Sequence, residues 1–275
     1  VTRHAELREN QHIDIPIHID TPATLQTGVN VNPDAPNSNP FETDDLKGLD
    51  WVRFVFKLDA RTVVAERGDI RKSFAQYDPI IHAYNRIGVK SLIIINQETI
   101  WGKAPWTGGG DWAGYALDLA ATAKDIATHY RRYEDSVAYQ IWNEGDKENN
   151  PASVYLKSEQ MAMIVKAVAT AVRAASPSSP IIFNGMATGP EATAAYLKKV
   201  EATLGGKIPV DAIGIHPYTR WATKAPFDWG QQYGTLGQAF DVCRRELPGY
   251  TFWITEIGVA DDGEIGPQYY AEIGD

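Results

Sequence analysis

The chain holds a single cysteine, Cys243, so no disulfide can form within it and cysteine usage does not report a redox compartment. Cys243 falls in a helical pattern with Ala239, Phe240 and Leu247 and reads as a small buried apolar side chain. No stretch approaches the roughly 20 consecutive apolar residues of a membrane-spanning helix. The first residues show no signal-peptide pattern, as would also hold for a chain that begins after a processed segment. Lysine and arginine never cluster into a run, and the formal net charge is −9. Both facts weigh against a chain-wide affinity for nucleic acid or anionic membrane. Metal-binding spacings such as His-x-His or His-Glu-x-x-His are absent. The run Gly108-Gly109-Gly110 lacks the Lys-Ser/Thr ending of a phosphate loop. Neither metal nor cofactor is expected.

What is present is material for a large core. Hydrophobic residues make up 44% of 275 positions, enough for one barrel-sized domain or two small ones. Eight tryptophans and thirteen tyrosines concentrate in segments that read as loops. Part of them serve packing, and the rest suit flat ligands.

Short apolar runs rich in β-branched and aromatic residues read as strands: 28–31, 51–58, 91–96, 137–142, 180–184, 212–216 and 251–257. Helical patterns lie at 74–86, 111–133, 158–175, 190–204, 233–247 and 267–275, with Gly88, Ser176-Pro177 and Gly205-Gly206 as stops and Pro190 suited to a first turn. Alternation of this kind implies parallel strands with right-handed crossovers. An open doubly wound sheet and a (β/α)₈ barrel both fit. Polar residues at the ends of widely separated runs favour the barrel, which gathers strand ends at one mouth. Seven barrel strands can be counted, so the eighth is not accounted for. The run His12 to Ile19 alternates with period two and contains Pro16. It suits an edge or capping strand in an N-terminal extension over 1–26, ahead of a barrel over 27–275 that is one strand short.

Two strand ends carry carboxyl groups. Tyr139-Gln140-Ile141-Trp142 runs into Asn143-Glu144, and Trp253-Ile254-Thr255 runs into Glu256. A carboxyl at a partly desolvated mouth can hold a proton near neutrality and donate it to a leaving oxygen, while Asn143 offers an amide to a sugar hydroxyl. A buried anion at Glu256 needs cationic or hydrogen-bonding neighbours. Two such carboxyls are what glycosidic cleavage requires. An isolated Glu is ordinarily an exposed charge; the matching strand-end contexts reverse that reading for this pair.

These segments resemble the strand-four and strand-seven signatures of the clan-A retaining glycoside hydrolases, a group with cellulase-like, mannanase-like and xylosidase-like members. The resemblance implies Glu144 as acid/base, Glu256 as nucleophile and Asn143 beside them. Arg53 in WVRFVF resembles the clan's arginine that keeps the nucleophile ionised. His216-Pro217-Tyr218 resembles its His-x-Tyr, whose tyrosine bonds the nucleophile. Core packing is the alternative reading of His216 and of Tyr218. Many members end strand three in histidine, where this chain has Asn96. Trp101, with Trp106 and Trp112 in the loop after the third strand, and Trp221, with Trp229 after the sixth, are candidate sugar-stacking rings or loop packing. The expected partner is an oligo- or polysaccharide, with no nucleic acid and no membrane insertion, and a secreted or cell-surface location suits that substrate. A carbohydrate-binding barrel without catalysis and a metal-dependent barrel hydrolase are the competing readings.

Overall fold

A computed structural model of the protein describes residues 26–33, 43–58, 69–100, 105, 110–150, 153–217 and 236–257. The alternating segment at 12–19 and the helical pattern at 267–275 lie outside these residues. Among the described residues seven strands form one sheet: β1 Gly28–Asn30, β2 Trp51–Val55, β3 Lys90–Ile95, β4 Val137–Ile141, β5 Ile181–Met186, β6 Ala212–Ile215 and β7 Phe252–Ile254. Their order in the sheet is their order in the chain, and every pair is parallel. A doubly wound sheet would reverse its order midway. This one never does. The architecture is a (β/α)₈ barrel in which the described residues fill seven strand positions. At the two edges the apolar side chains of Val29 and Ile254 are exposed.

The intervening helices are α1 Ile70–Arg86, α2 Trp112–His129, α3 Ser158–Ala175, α4 Pro190–Leu204 and α5 Leu236–Glu246. Two begin at aspartate caps. Asp69 accepts from the Arg71 N–H, which starts α1 four residues ahead of its apolar pattern, and Asp111 accepts from the Gly114 N–H. The long pattern expected over 111–133 stops at His129, and Arg131–Tyr133 continue as a 3₁₀ turn. Gly205, at φ 71°, ends α4 in a left-handed cap that β-carbons disfavour.

Strands β3 to β6 are buried along nearly their whole length, because helices cover one face and the barrel interior takes the other. Alternate side chains divide accordingly. Val52, Phe54, Ile93, Ile95, Tyr139, Ile141, Phe183 and Ile213 join the helices in the main core. Leu92, Ala138, Ile182 and Ala212 form a separate inner layer, closed by Trp51 and Trp253, whose rings meet edge-on at 5.3 Å. Two residues beyond Trp51, Ala138 and Trp253 the interior turns polar, at Arg53, Gln140 and Thr255. That step from an apolar to a polar layer sets the floor of the mouth.

Candidate active site

Arg53 is the hub. It sits in β2 with 7% of its surface exposed, facing the barrel interior. Its Nε donates to Gln140 Oε1 at 2.8 Å. One terminal nitrogen donates to Glu256 Oε2 at 2.8 Å and Asn30 Oδ1 at 3.1 Å, and the other to Asn143 Oδ1 at 2.5 Å. The planar guanidinium fork thus ties the ends of β1, β2, β4 and β7 together and places a fixed positive charge on Glu256.

Glu144 is held differently. It is 4% exposed, and its backbone lies in the left-handed region at φ 47°, as does that of Trp142 at φ 69°. Such backbone is strained for residues with a β-carbon and persists where surroundings enforce it. Here they do. The Glu144 N–H donates to Gly185 O at 3.0 Å, and the Gly145 N–H to Asn184 Oδ1 at 3.2 Å, both on β5. The loop after β4 then folds back over the strand end. Trp142 Nε1 donates to Val154 O at 3.0 Å, the Leu156 N–H to Gly145 O at 2.8 Å, and the Ser153 hydroxyl to Asn143 O. Asp146 accepts from the Ala187 and Thr188 N–H groups and from the Thr188 hydroxyl, which fastens this loop to the one after β5.

His216, at the end of β6, stands between the two carboxyls. Its Nδ1 is 3.0 Å from Glu144 Oε1 and 3.8 Å from Glu256 Oε2. Its Nε2 lies 3.1 Å from the Thr255 hydroxyl and 3.4 Å from Arg53. Burial pushes the imidazole below its ordinary pKa, with Arg53 adding to the effect and Glu144 opposing it. The ring is therefore neutral near pH 7. A guanidinium only donates, so Nε2 is the acceptor and the proton resides on Nδ1, where it points at Glu144.

One oxygen of Glu144, one of Glu256 and a His216 nitrogen lie within 4.8 Å of one another. This set suits a divalent cation poorly. Arg53 already supplies a positive charge at Glu256, and the tautomer it imposes leaves Nδ1 without a lone pair for coordination. What the arrangement offers is a pair of close carboxyls in unlike environments, one against a cation, the other buried against an imidazole and a carboxamide.

The structure brings together Arg53, Asn143, Glu144, His216 and Glu256. Asn96 is buried at the end of β3, where its side-chain oxygen accepts from the Glu98 N–H in a turn closed by Thr99. Trp112 opens α2 and packs edge-on against Tyr115. Trp101, Tyr218 and Trp221 lie outside the described residues, as do Trp106 and Trp229. Sequence reasoning missed Asn30, Gln140, Asn150, Asn184 and Thr255. A polar Gln140 inside the buried run VAYQI was a legible signal. Asn30, Asn184 and Thr255 depend on contacts between distant segments, and Asn150 on the fold-back of the loop that carries Glu144.

Such a mouth on such a barrel defines a clan-A glycoside hydrolase. The chain belongs to the cellulase family, glycosyl hydrolase family 5, whose model matches residues 25–269. Solved structures with a similar fold include a family 39 glycoside hydrolase from the gut symbiont Bacteroides cellulosilyticus, at 18% identity and TM-score 0.55 over 90% of this chain and 52% of that one. A thermostable xylanase mutant from Cellvibrio japonicus shares 16% identity, with TM-score 0.58 over 88% of this chain and 73% of that one. A monomeric β-xylosidase from Caulobacter crescentus shares 15%, with TM-score 0.55 over 86% and 52%. The chain thus spans about half the length of the first and third. No curated protein sequence matches it.

Proposed function

We propose that the chain hydrolyses β-O-glycosidic bonds of an oligo- or polysaccharide with retention of configuration, using Glu256 as nucleophile and Glu144 as acid/base. The observation that carries this reading is the pair of carboxyls with oxygens within 4.8 Å, Glu256 ion-paired to Arg53 and Glu144 bonded to His216 and Asn150. Retaining enzymes hold their carboxyl groups roughly 5–5.5 Å apart, and inverting ones roughly 6.5–9.5 Å to admit a water. Two carboxyls in unlike surroundings divide into an anion and a proton carrier. Arg53 holds the Glu256 carboxylate in place for attack on the anomeric carbon. As that bond forms, the bond to the leaving oxygen breaks and Glu144 gives the oxygen its proton. Glu144, now an anion, takes a proton from the water that releases the sugar from Glu256. His216 stays neutral and orients Glu144 through Nδ1–H.

A β-linked backbone agrees with structural neighbours that include a xylanase A mutant in complex with xylopentaose. The test is hydrolysis of β-glucans, mannans, xylans and aryl β-glycosides in chelator by wild type, Glu256→Ala and Glu144→Ala. Wild type should cleave one class and first release the β-anomer by NMR. Glu256→Ala should be inactive. Glu144→Ala should lose about 10²–10⁴-fold on poor leaving groups and less on activated aryl glycosides. Release of the α-anomer, or activity surviving Glu256→Ala, overturns the mechanism. Binding without cleavage of any substrate would leave a carbohydrate-binding barrel.

A further inference from the structure

We propose that Asn150 is a positioning residue for the acid/base, acting on the one oxygen of Glu144 that exchanges the catalytic proton; the assignment of that proton as catalytic rests on the function proposed above. The two oxygens of Glu144 have different neighbours. Oε1 faces His216 Nδ1 at 3.0 Å, and Oε2 receives the Asn150 side-chain amide. Because Arg53 and Thr255 occupy His216 Nε2, the neutral ring carries its hydrogen on Nδ1 and donates to Oε1. Oε1 is then an acceptor in both protonation states of Glu144. The proton that Glu144 holds and releases belongs on Oε2.

Asn150 is suited to that oxygen. Its amide donates to the anionic form of Oε2, and charge-assisted bonds are roughly twice as strong as neutral ones. Turned over, the same group presents an oxygen that accepts from Oε2–H. When Glu144 donates, the O–H bond at Oε2 breaks, the proton joins the leaving oxygen, and the Asn150 N–H meets the carboxylate that remains. The placement is built by the chain. Asn149 turns in the left-handed region at φ 58°, Asn150 is 8% exposed, and its carbonyl accepts from the Ser153 N–H at 3.3 Å. Among the described residues, the ionisable groups placed about Glu144 include His216 after β6 and Glu256 after β7, with Arg53 of β2 bonded to the adjacent Asn143 and Asp146 two residues along the same loop.

The test follows the Glu144 carboxyl by ¹³C NMR in protein labelled at the glutamate side-chain carboxyl, with Glu144→Gln providing the assignment. In Asn150→Ala the anion loses a donor, so the titration midpoint should rise by about one pH unit. In Asn150→Asp a second carboxyl adjoins it, and the midpoint should rise further. The alkaline limb of kcat/KM against pH should move by the same amounts. In Asn150→Ala the ratio of kcat/KM for poor over activated leaving groups should fall about tenfold. Coincident midpoints in wild type and both variants overturn the assignment, even if activity falls, because a merely structural residue lowers rate without moving the titration. The two readings separate cleanly. A wild type that cleaves nothing yet shows the shifts keeps Asn150 as the partner of Oε2 and overturns the function proposed above. An active wild type with unmoved midpoints does the reverse.

Discussion

At the scale of single residues, the site is organised by one side chain whose shape matters as much as its charge. Arg53 meets Gln140, Asn30, Glu256 and Asn143 at once, which takes several donors in a rigid plane. Lysine keeps the charge but is a single compact ammonium on a flexible stem. Arg53→Lys should therefore fold and retain a cation near Glu256, yet lose register among the four strand ends. The expected loss in kcat/KM is about 10²–10³-fold, the size seen when one preorganised donor is withdrawn from a developing charge. Steady-state kinetics beside a denaturant curve checks it. Kinetics like wild type would mean that charge alone suffices. Arg53, Glu144 and Glu256 were legible in the sequence, since a charged residue within or ending an apolar strand is conspicuous. Asn150 was not. Its loop holds several polar residues in KENN, and only the fold-back of that loop decides which one reaches Glu144.

At the scale of elements, β5 supports Glu144, which lies just past the end of β4. The register between β5 and β6 shifts between Phe183 and Met186, and Asn184 adopts φ 43° there. That irregularity is a bulge, which re-aims side chains beside functional sites. It lets Gly185 O receive the Glu144 N–H and Asn184 Oδ1 the Gly145 N–H. Gly185 also leaves room for the His216 ring: a β-carbon there would sit 2.1 Å from Nε2 and 2.4 Å from Cε1. Gly185→Ala should push the ring away from Glu144. Overpacking of this kind costs about 1–3 kcal/mol of stability, and a displacement near 1 Å at reacting groups costs about 10²-fold in rate. Urea unfolding together with kcat/KM would show both losses; an alanine variant with wild-type kinetics would mean that the ring does not orient Glu144. The strand and helix order was readable from periodicity, α4 begins at Pro190, and α3 and α4 end at the stops Ser176-Pro177 and Gly205-Gly206. The bulge was hidden. PIIFN reads as an ordinary buried strand, and only pairing with β6 reveals the extra residue.

At the scale of the whole molecule, the barrel separates stability from chemistry along its axis. The inner layer of Leu92, Ala138, Ile182 and Ala212 lies one step below Arg53 and Gln140, and the carboxyls stand at the strand ends above. Ile182 pairs in register with Gln140, yet its side chain is apolar and packs in the inner layer, holding none of the mouth's hydrogen bonds. Ile182→Ala leaves a cavity in a layer that packs against neighbouring strands, and should cost about 2–5 kcal/mol of unfolding free energy. The kcat/KM of the folded fraction should stay near that of wild type, because no contact of Arg53, Glu144 or Glu256 is removed. Glu256→Ala should do the opposite. It should abolish turnover, while Arg53 keeps Gln140, Asn30 and Asn143, so stability should fall less than in Ile182→Ala. Denaturant curves and kinetics on the two variants form the check. If Ile182→Ala lowered kcat/KM as far as it lowered stability, the inner layer would be part of the device that holds the carboxyls, and the division between floor and mouth would fail.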